Sequence, residues 1–431
     1  MTADPGIWRR GLLAGQDPEE LARTHGTPLY VYDLDLVDAR VRALRAWLPA
    51  RFDIAYAVKA NPSLAVIAAA VAAGTGVDVS SAGELAAAAR AGAPAARTML
   101  TGPGKSDALL ARAVEAGVRA VVVESPGELD RLERVAAQAR RIAPVLIRLP
   151  AHDDQAFGMS WEDALAAART CVRSRWLECL GVHSFGVSAE RDAAVLAAHA
   201  RRTVEAGRHL ALAAGFPLRV IDAGGGLGIP YADGDAALDL AMLGGILSRL
   251  DEALAADPAT RGTRVVLEPG RFLVGPAGAY LARVVDVKRL RGRHVAVLDG
   301  GINHLLAPAL VGRHHRLRLV ADADAAVSTI APDAPVVAPG ARPRVPVDFV
   351  GPLCTGLDVL DRIDAFPEPR PGDLVVALDT GAYGYTQSMP WFLSHAAPAE
   401  VAVTAGRAVL VRPRREAEAW LEGQRLPSSA E

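Results

Sequence analysis

The chain has 431 residues, 51% of them hydrophobic, and a formal net charge of −2. That length allows two or three domains with ample core, and the apolar content and balanced charge argue against a nucleic-acid surface or a solvating acidic tail. The apolar runs are too short to span a membrane, and the stretch from Met1 to Glu20 does not read as a signal peptide.

In chain order, the first strand signal is Pro28 to Asp33, which could join a β domain formed later in the chain. From about residue 30 to 275, short apolar strands alternate with Ala-rich helical stretches. The strands read as 52–58, 76–79, 97–101, 119–123, 143–149, 177–184, 218–222 and 264–267. Helices between them include Ser81 to Ala91, Lys105 to Ala116, Pro126 to Ala139 and Arg191 to Ala214. Eight strand–helix units in one series predict an α/β fold, a (β/α)8 TIM barrel, rather than an open doubly wound sheet. After residue 275 the helix signals nearly vanish. Val284–Val287, His294–Leu298, Val345–Val350, Asp373–Leu378 and Glu400–Val403 read as strands of an all-β domain, with a loop or insertion from Ser328 to Arg344. The expected division is a barrel over 30–275, a β domain from 1–29 and 276–420, and a frayed tail over 421–431.

Lys59 closes the first barrel strand in the stretch Ala55 to Pro62. The chain has only three lysines, at 59, 105 and 288, and writes arginine elsewhere. A retained lysine at the carboxyl end of a barrel strand points to a need for an amine, which can form a Schiff base where a guanidinium cannot. The plain alternative is a lysine that ends a strand in water. Asp222-Ala223-Gly224-Gly225-Gly226-Leu227-Gly228 follows strand seven, where barrels often hold phosphate on backbone N–H groups. Glu268-Pro269-Gly270-Arg271 ends strand eight. Its carboxylate and guanidinium could bridge one another, or divide between a ring nitrogen and a phosphate. Cys354 sits in a Gly/Pro loop that a buried small hydrophobe would also explain, and Tyr383 lies in the turn Gly381-Ala382-Tyr383-Gly384. With Cys171 and Cys179 it makes three cysteines without metal-ligand spacing, a count that fits a reducing cytosol.

The ordered set AYAVKANP, VDVSSAGE, DAGGGLG, EPGRF, GPLCTGLD and GAYGYTQS resembles the fold-type III pyridoxal-phosphate decarboxylases, the group of diaminopimelate, ornithine and arginine decarboxylases. Asp299 to His304 and Trp391 to His395 are more similar to a biosynthetic branch that includes the decarboxylase of glutamyl-loaded acyl carrier protein in the butirosin pathway. The resemblance implies pyridoxal phosphate as cofactor, held by Lys59 with Asp78 close by and Arg148 as a polar neighbour of the ring. It implies a phosphate cradle from Ser188, Gly225, Gly226, Gly270 and Arg271, with Tyr383 a further contact, and Glu268 as partner of the pyridine nitrogen. It further implies a homodimer with shared sites, in which the second subunit donates Cys354, as the proton source, and Asp358.

The chain departs from the family pattern in three respects. Phe185 stands where a histidine usually stacks on the ring; it can stack but cannot titrate. Thr355 replaces the acidic residue that reads a distal ammonium. Arg313, Arg316 and Arg318 lie in the region that would grip a distal carboxylate, and the sequence does not choose among them. The reading is a pyridoxal-phosphate-dependent decarboxylase of an L-α-amino acid or amino-acyl derivative, with an acyl carrier protein as a candidate partner and neither nucleic acid nor membrane. Diaminopimelate decarboxylase of lysine biosynthesis, an amino-acid racemase on the same fold and a non-catalytic regulator are the alternatives. The EPGR and CTGLD pair argues against the racemase, because racemases keep the ring unprotonated. Intact Lys59, Glu268 and Cys354 argue against the regulator.

Overall fold

The computed structural model describes residues 6–152, 156–322 and 342–427. The chain forms two compact units: residues 37–230 with 236–274, and residues 1–36, 231–235 and 275–431.

The first unit is a closed parallel barrel of eight strands: Phe52–Ala57, Gly76–Val79, Thr98–Leu100, Ala120–Val123, Ala143–Arg148, Leu177–His183, Val220–Asp222 and Arg264–Leu267. Each strand pairs with the next, and the ring closes where Val265 faces Phe52 and Leu267 faces Ile54. These strands are near-continuous apolar runs because a parallel sheet under helices is buried on both faces. Ala55, Met99, Val122, Leu146, Val220 and Val266 pack together as a core cluster. Burying a Val, Leu or Met side chain of this cluster is worth about 1.5–3 kcal/mol of transfer free energy. The intervening helices start on side-chain caps: Ser81 accepts from the Glu84 amide, Ser106 from Leu109, Ser125 from Glu128 and Ser160 from Asp163. Those caps satisfy amides that the first helical turn leaves without a carbonyl. Each cap follows the end of the preceding strand, so the segments between them form the carboxyl mouth.

One glycine shapes that mouth. Gly181 pairs with Leu146 at a bulge between strands five and six. It has φ +155°, and a Cβ there would sit 1.8 Å from the Val220 carbonyl oxygen. Only glycine permits that approach, and the bulge re-aims the residues that follow, His183 and Phe185.

The second unit is β-rich, with a sheet in the order 359–367, 344–350, 293–298, 278–290, 29–33, 399–404 and 407–412. Its spine is Gly278–Leu290. The first half of that strand pairs with Leu374–Leu378 and with the early strand Leu29–Asp33, and the second half with Arg293–Leu298. Leu29, Val31, Leu281, Val376, Val401 and Val403 form its core. The expected loop from Ser328 to Arg344 lies outside the described residues up to position 341, as do the last four residues of the expected tail.

Candidate active site

In the barrel unit, the candidate residues gather at the carboxyl ends of strands. Lys59 follows strand one in a 3-10 turn, Val58–Ala60. Its Nζ lies 3.0 Å from Asp78 Oδ2, and its side chain is 39% exposed while Asp78 is fully buried. The Thr101 hydroxyl donates to the other Asp78 oxygen at 2.6 Å. Burial, then the charge of Glu268, raises Asp78 above the usual carboxyl range, while Lys59 and Thr101 oppose the shift. The Phe185 ring centroid is 5.9 Å from Lys59 Nζ, so an aromatic face borders the amine. Arg148 donates to Glu124 at 2.5 Å and stands 4.6 Å over the Phe157 ring.

Strands six, seven and eight contribute His183, Asp222 and Glu268, all buried. Glu268 Oε1 is 3.7 Å from His183 Nε2, longer than a hydrogen bond. Burial acts to raise the Glu268 carboxyl, but His183, Lys59 and the Asp222 carboxyl prevail and bring it down to about 2. Glu268 is therefore an anion although it is buried, with Oε1 unpartnered among the described residues. Gly224, Gly225 and Gly226 follow Asp222, and the Glu268 amide donates to the Gly224 carbonyl at 2.8 Å. A Cβ on Gly225 would lie 2.1 Å from the Glu268 carbonyl oxygen, so only glycine lets the two strand ends meet. Gly270 packs against Ala60 and Ala57, Arg271 opens the short helix Arg271–Val274, and Ser188 is exposed in the loop after strand six.

The remaining expected residues belong to the β unit. Cys354 is exposed and Thr355 is half-buried in the loop 351–358. Asp358 is buried, and its two oxygens accept from the Ile302 and Leu353 amides at 2.8 Å each. A Cβ on Gly301 or Gly351 would meet that carboxylate within 2.3 Å. Asp358 thus fastens the Cys354 loop to the turn at Gly301. Arg316 pairs with Asp379 at 2.9 and 2.7 Å, Arg318 pairs with both oxygens of Asp233 at 3.0 Å, and Arg313 lies 5.0 Å over the Tyr231 ring. Tyr383 is half-buried with φ +55°. Sequence reasoning missed Asp222 as an acid in its own right, along with Thr101 and Glu124. Their signal was position, since each lies at or just past the carboxyl end of a barrel strand.

A lysine amine paired with a buried acid, a buried anionic carboxylate and a glycine turn beside it fit the donor set that holds pyridoxal phosphate. Residues 34–275 match the family model for the pyridoxal-binding domain of pyridoxal-dependent decarboxylases. The chain belongs to the pyridoxal-dependent decarboxylases. Its cofactor is pyridoxal phosphate, and its reaction removes CO2 from an amino acid. Among similar proteins is an L-glutamyl-[BtrI acyl-carrier protein] decarboxylase from Niallia circulans, 30% identical over 92% of this chain and 94% of that one. A diaminopimelate decarboxylase from Neisseria meningitidis is 33% identical over 92% of this chain and 93% of its own. The crystal structure of diaminopimelate decarboxylase from Helicobacter pylori, complexed with L-lysine, superposes with a TM-score of 0.81 at 26% identity, covering 94% of this chain and 98% of that one.

In this decarboxylase, Lys59 would hold the cofactor's aldehyde end, the glycine turn and Arg271 its phosphate, and Glu268 its ring nitrogen. The bound cofactor supplies an electron sink for the pair left when CO2 departs. Asp78 holds the Lys59 amine at 3.0 Å, and the buried Glu268 carboxylate would offer an opposing charge to a protonated ring nitrogen. No helix among the described residues is long and apolar enough to cross a membrane.

Proposed function

We propose that the substrate is an L-α-amino acid or amino-acyl derivative whose far end is neutral or anionic, a glutamyl group on an acyl carrier protein being the leading candidate, and that the enzyme serves a cytoplasmic biosynthetic pathway as a homodimer with shared sites. The observation that carries the reading lies in the loop 351–358. A distal ammonium taken from water requires a carboxylate, because an unpaired buried charge costs several kcal/mol. Thr355 offers a hydroxyl, and that oxygen faces the Leu357 amide at 3.3 Å. Asp358 has both oxygens on backbone amides. Neither presents a free carboxylate for an ammonium. The similarity to the carrier-protein decarboxylase supports the same reading. Cys354, exposed on this loop, would be the partner subunit's proton donor to the α-carbon, with Tyr383 as a further phosphate contact and Arg313 reading the distal group, since Arg318 is held by Asp233. The barrel unit, 37–230 with 236–274, would then be the catalytic domain rather than 30–275, because the strand Leu29–Asp33 and residues 231–235 belong to the β unit.

The contrasting reading is diaminopimelate decarboxylase, the name of relatives at similar identity. CO2 release across free and carrier-linked amino acids separates the two. The proposal expects turnover of glutamyl or acylated substrates, and little from lysine, ornithine or diaminopimelate. Thr355→Asp should move preference toward diamino acids. Efficient CO2 release from diaminopimelate by the unmodified enzyme would refute the proposal.

A further inference from the structure

Behind Glu268 lies a second carboxyl that the reaction described so far does not use. Asp222 ends strand seven and is fully buried. It pairs with His183 on strand six and with Val266 on strand eight, so it sits between the strands that carry His183 and Glu268. Its Oδ1 accepts the Gly224 amide at 2.8 Å. Its Oδ2 is buried and lacks a hydrogen-bond partner among the described residues, as do Glu268 Oε1 and His183 Nδ1. One oxygen of each carboxyl and a ring nitrogen of His183 lie within 4.8 Å of one another.

The charges around this point decide its state. Three buried acids, Asp78, Asp222 and Glu268, face Lys59 and His183. Asp78 is already paired with Lys59. Two buried carboxyls this close do not both ionise readily, and with Lys59 already on Asp78 one proton stays with the pair. Glu268 lies against His183 and feels Lys59, and it holds the negative charge. Asp222 is left beside Glu268 and Asp78, and burial together with those charges holds its proton on.

We propose that Asp222 is a positioning residue that acts as a neutral acid: its Oδ2 hydroxyl faces Glu268, holding that carboxylate in place and anionic toward the cofactor's ring nitrogen. This rests on Glu268 being the partner of that nitrogen. With Oδ1 accepting the Gly224 amide as a carbonyl oxygen does, Oδ2, the atom left without a partner, is the oxygen that carries the proton. A carboxylate held from behind by an acid keeps its other oxygen free for the ring. One held by an amine would lose charge to it.

The test uses the pyridoxal-phosphate-loaded enzyme and three variants. Asp222→Ala removes the donor and should lower kcat about tenfold to a hundredfold, the range for one hydrogen bond to a charged group. Asp222→Asn offers an N–H in place of the O–H and should recover at least tenfold over Asp222→Ala, with the cofactor's visible absorbance restored toward wild type. The infrared difference spectrum between wild type and Asp222→Asn should carry a protonated-carboxyl band at neutral pH, with or without cofactor. Absence of that band, or an Asp222→Asn enzyme as impaired as Asp222→Ala, overturns the proposal. Glu268→Gln separates the underlying reading. If it leaves both the absorbance and kcat unchanged, Glu268 is not the ring partner, even where the acid band places a proton on Asp222.

Discussion

Replacing Lys105 by methionine should destabilise the barrel unit more than any other single lysine change. Lys105 is buried, and its Nζ donates to Glu128 Oε1 and to the Val122 carbonyl, each at 2.6 Å. The side chains of the pair are 1% and 4% exposed, so water does not screen it. Lys105→Met keeps the volume but strands the Glu128 carboxyl, and breaking a buried pair from one side costs about 3–5 kcal/mol. At about 2–4 °C per kcal/mol for a unit of this size, Tm should fall by about 6–20 °C. The loss depends on pH. Burial already raises the Glu128 carboxyl above its ordinary 4.5, and without Lys105 it rises further. The stranded acid is protonated in both folded and unfolded states below pH 4.5, so the penalty is small there, and it grows as pH rises through the raised value. Thermal unfolding followed by circular dichroism at pH 4.5 and 7.5 should therefore show the larger loss at 7.5. The double variant Lys105→Met, Glu128→Leu should recover most of it, since both charges then leave together. A loss below about 1 kcal/mol at pH 7.5, the size of an exposed pair, would refute the reasoning.

Lys59→Ala should abolish turnover together with the yellow colour and the borohydride-sensitive absorbance of the wild-type enzyme, and normal turnover would sink the assigned role. Lys59→Ala and Cys354→Ala proteins, mixed and reassorted, should regain about a quarter of wild-type activity, because mixed dimers hold one intact site; no recovery after verified subunit exchange would place both residues in one chain's site. Gly225→Ala should weaken cofactor binding at least about tenfold, since its Cβ would lie 2.1 Å from a backbone oxygen and the strand ends must part. Equilibrium dialysis of pyridoxal phosphate measures this, and unchanged affinity would show that the cradle tolerates the methyl group.

The barrel was legible in the chain because its strands are apolar on both faces and its helices are Ala-rich, so each element announces itself locally. Lys59 was legible for a similar reason, as a rare residue type at a strand end. The β unit was read less fully. Gly278–Leu290 showed only its stretch from Val284 to Val287, because its first half is buried on both sides and lacks alternation. Arg407–Arg412 is an edge strand exposed throughout, with no buried face to impose a period. The fates of individual charges were decided by the tertiary structure alone. Arg316 and Arg318, read as candidates for a substrate carboxylate, meet Asp379 and Asp233, residues 63 and 85 positions away. Asp222 looked like the preface to a glycine run. Closure of the barrel brings it beside Glu268 and His183, which are 46 and 39 positions distant in the chain. The state of a buried acid depends on which charges lie within a few ångströms, and sequence order does not encode that distance.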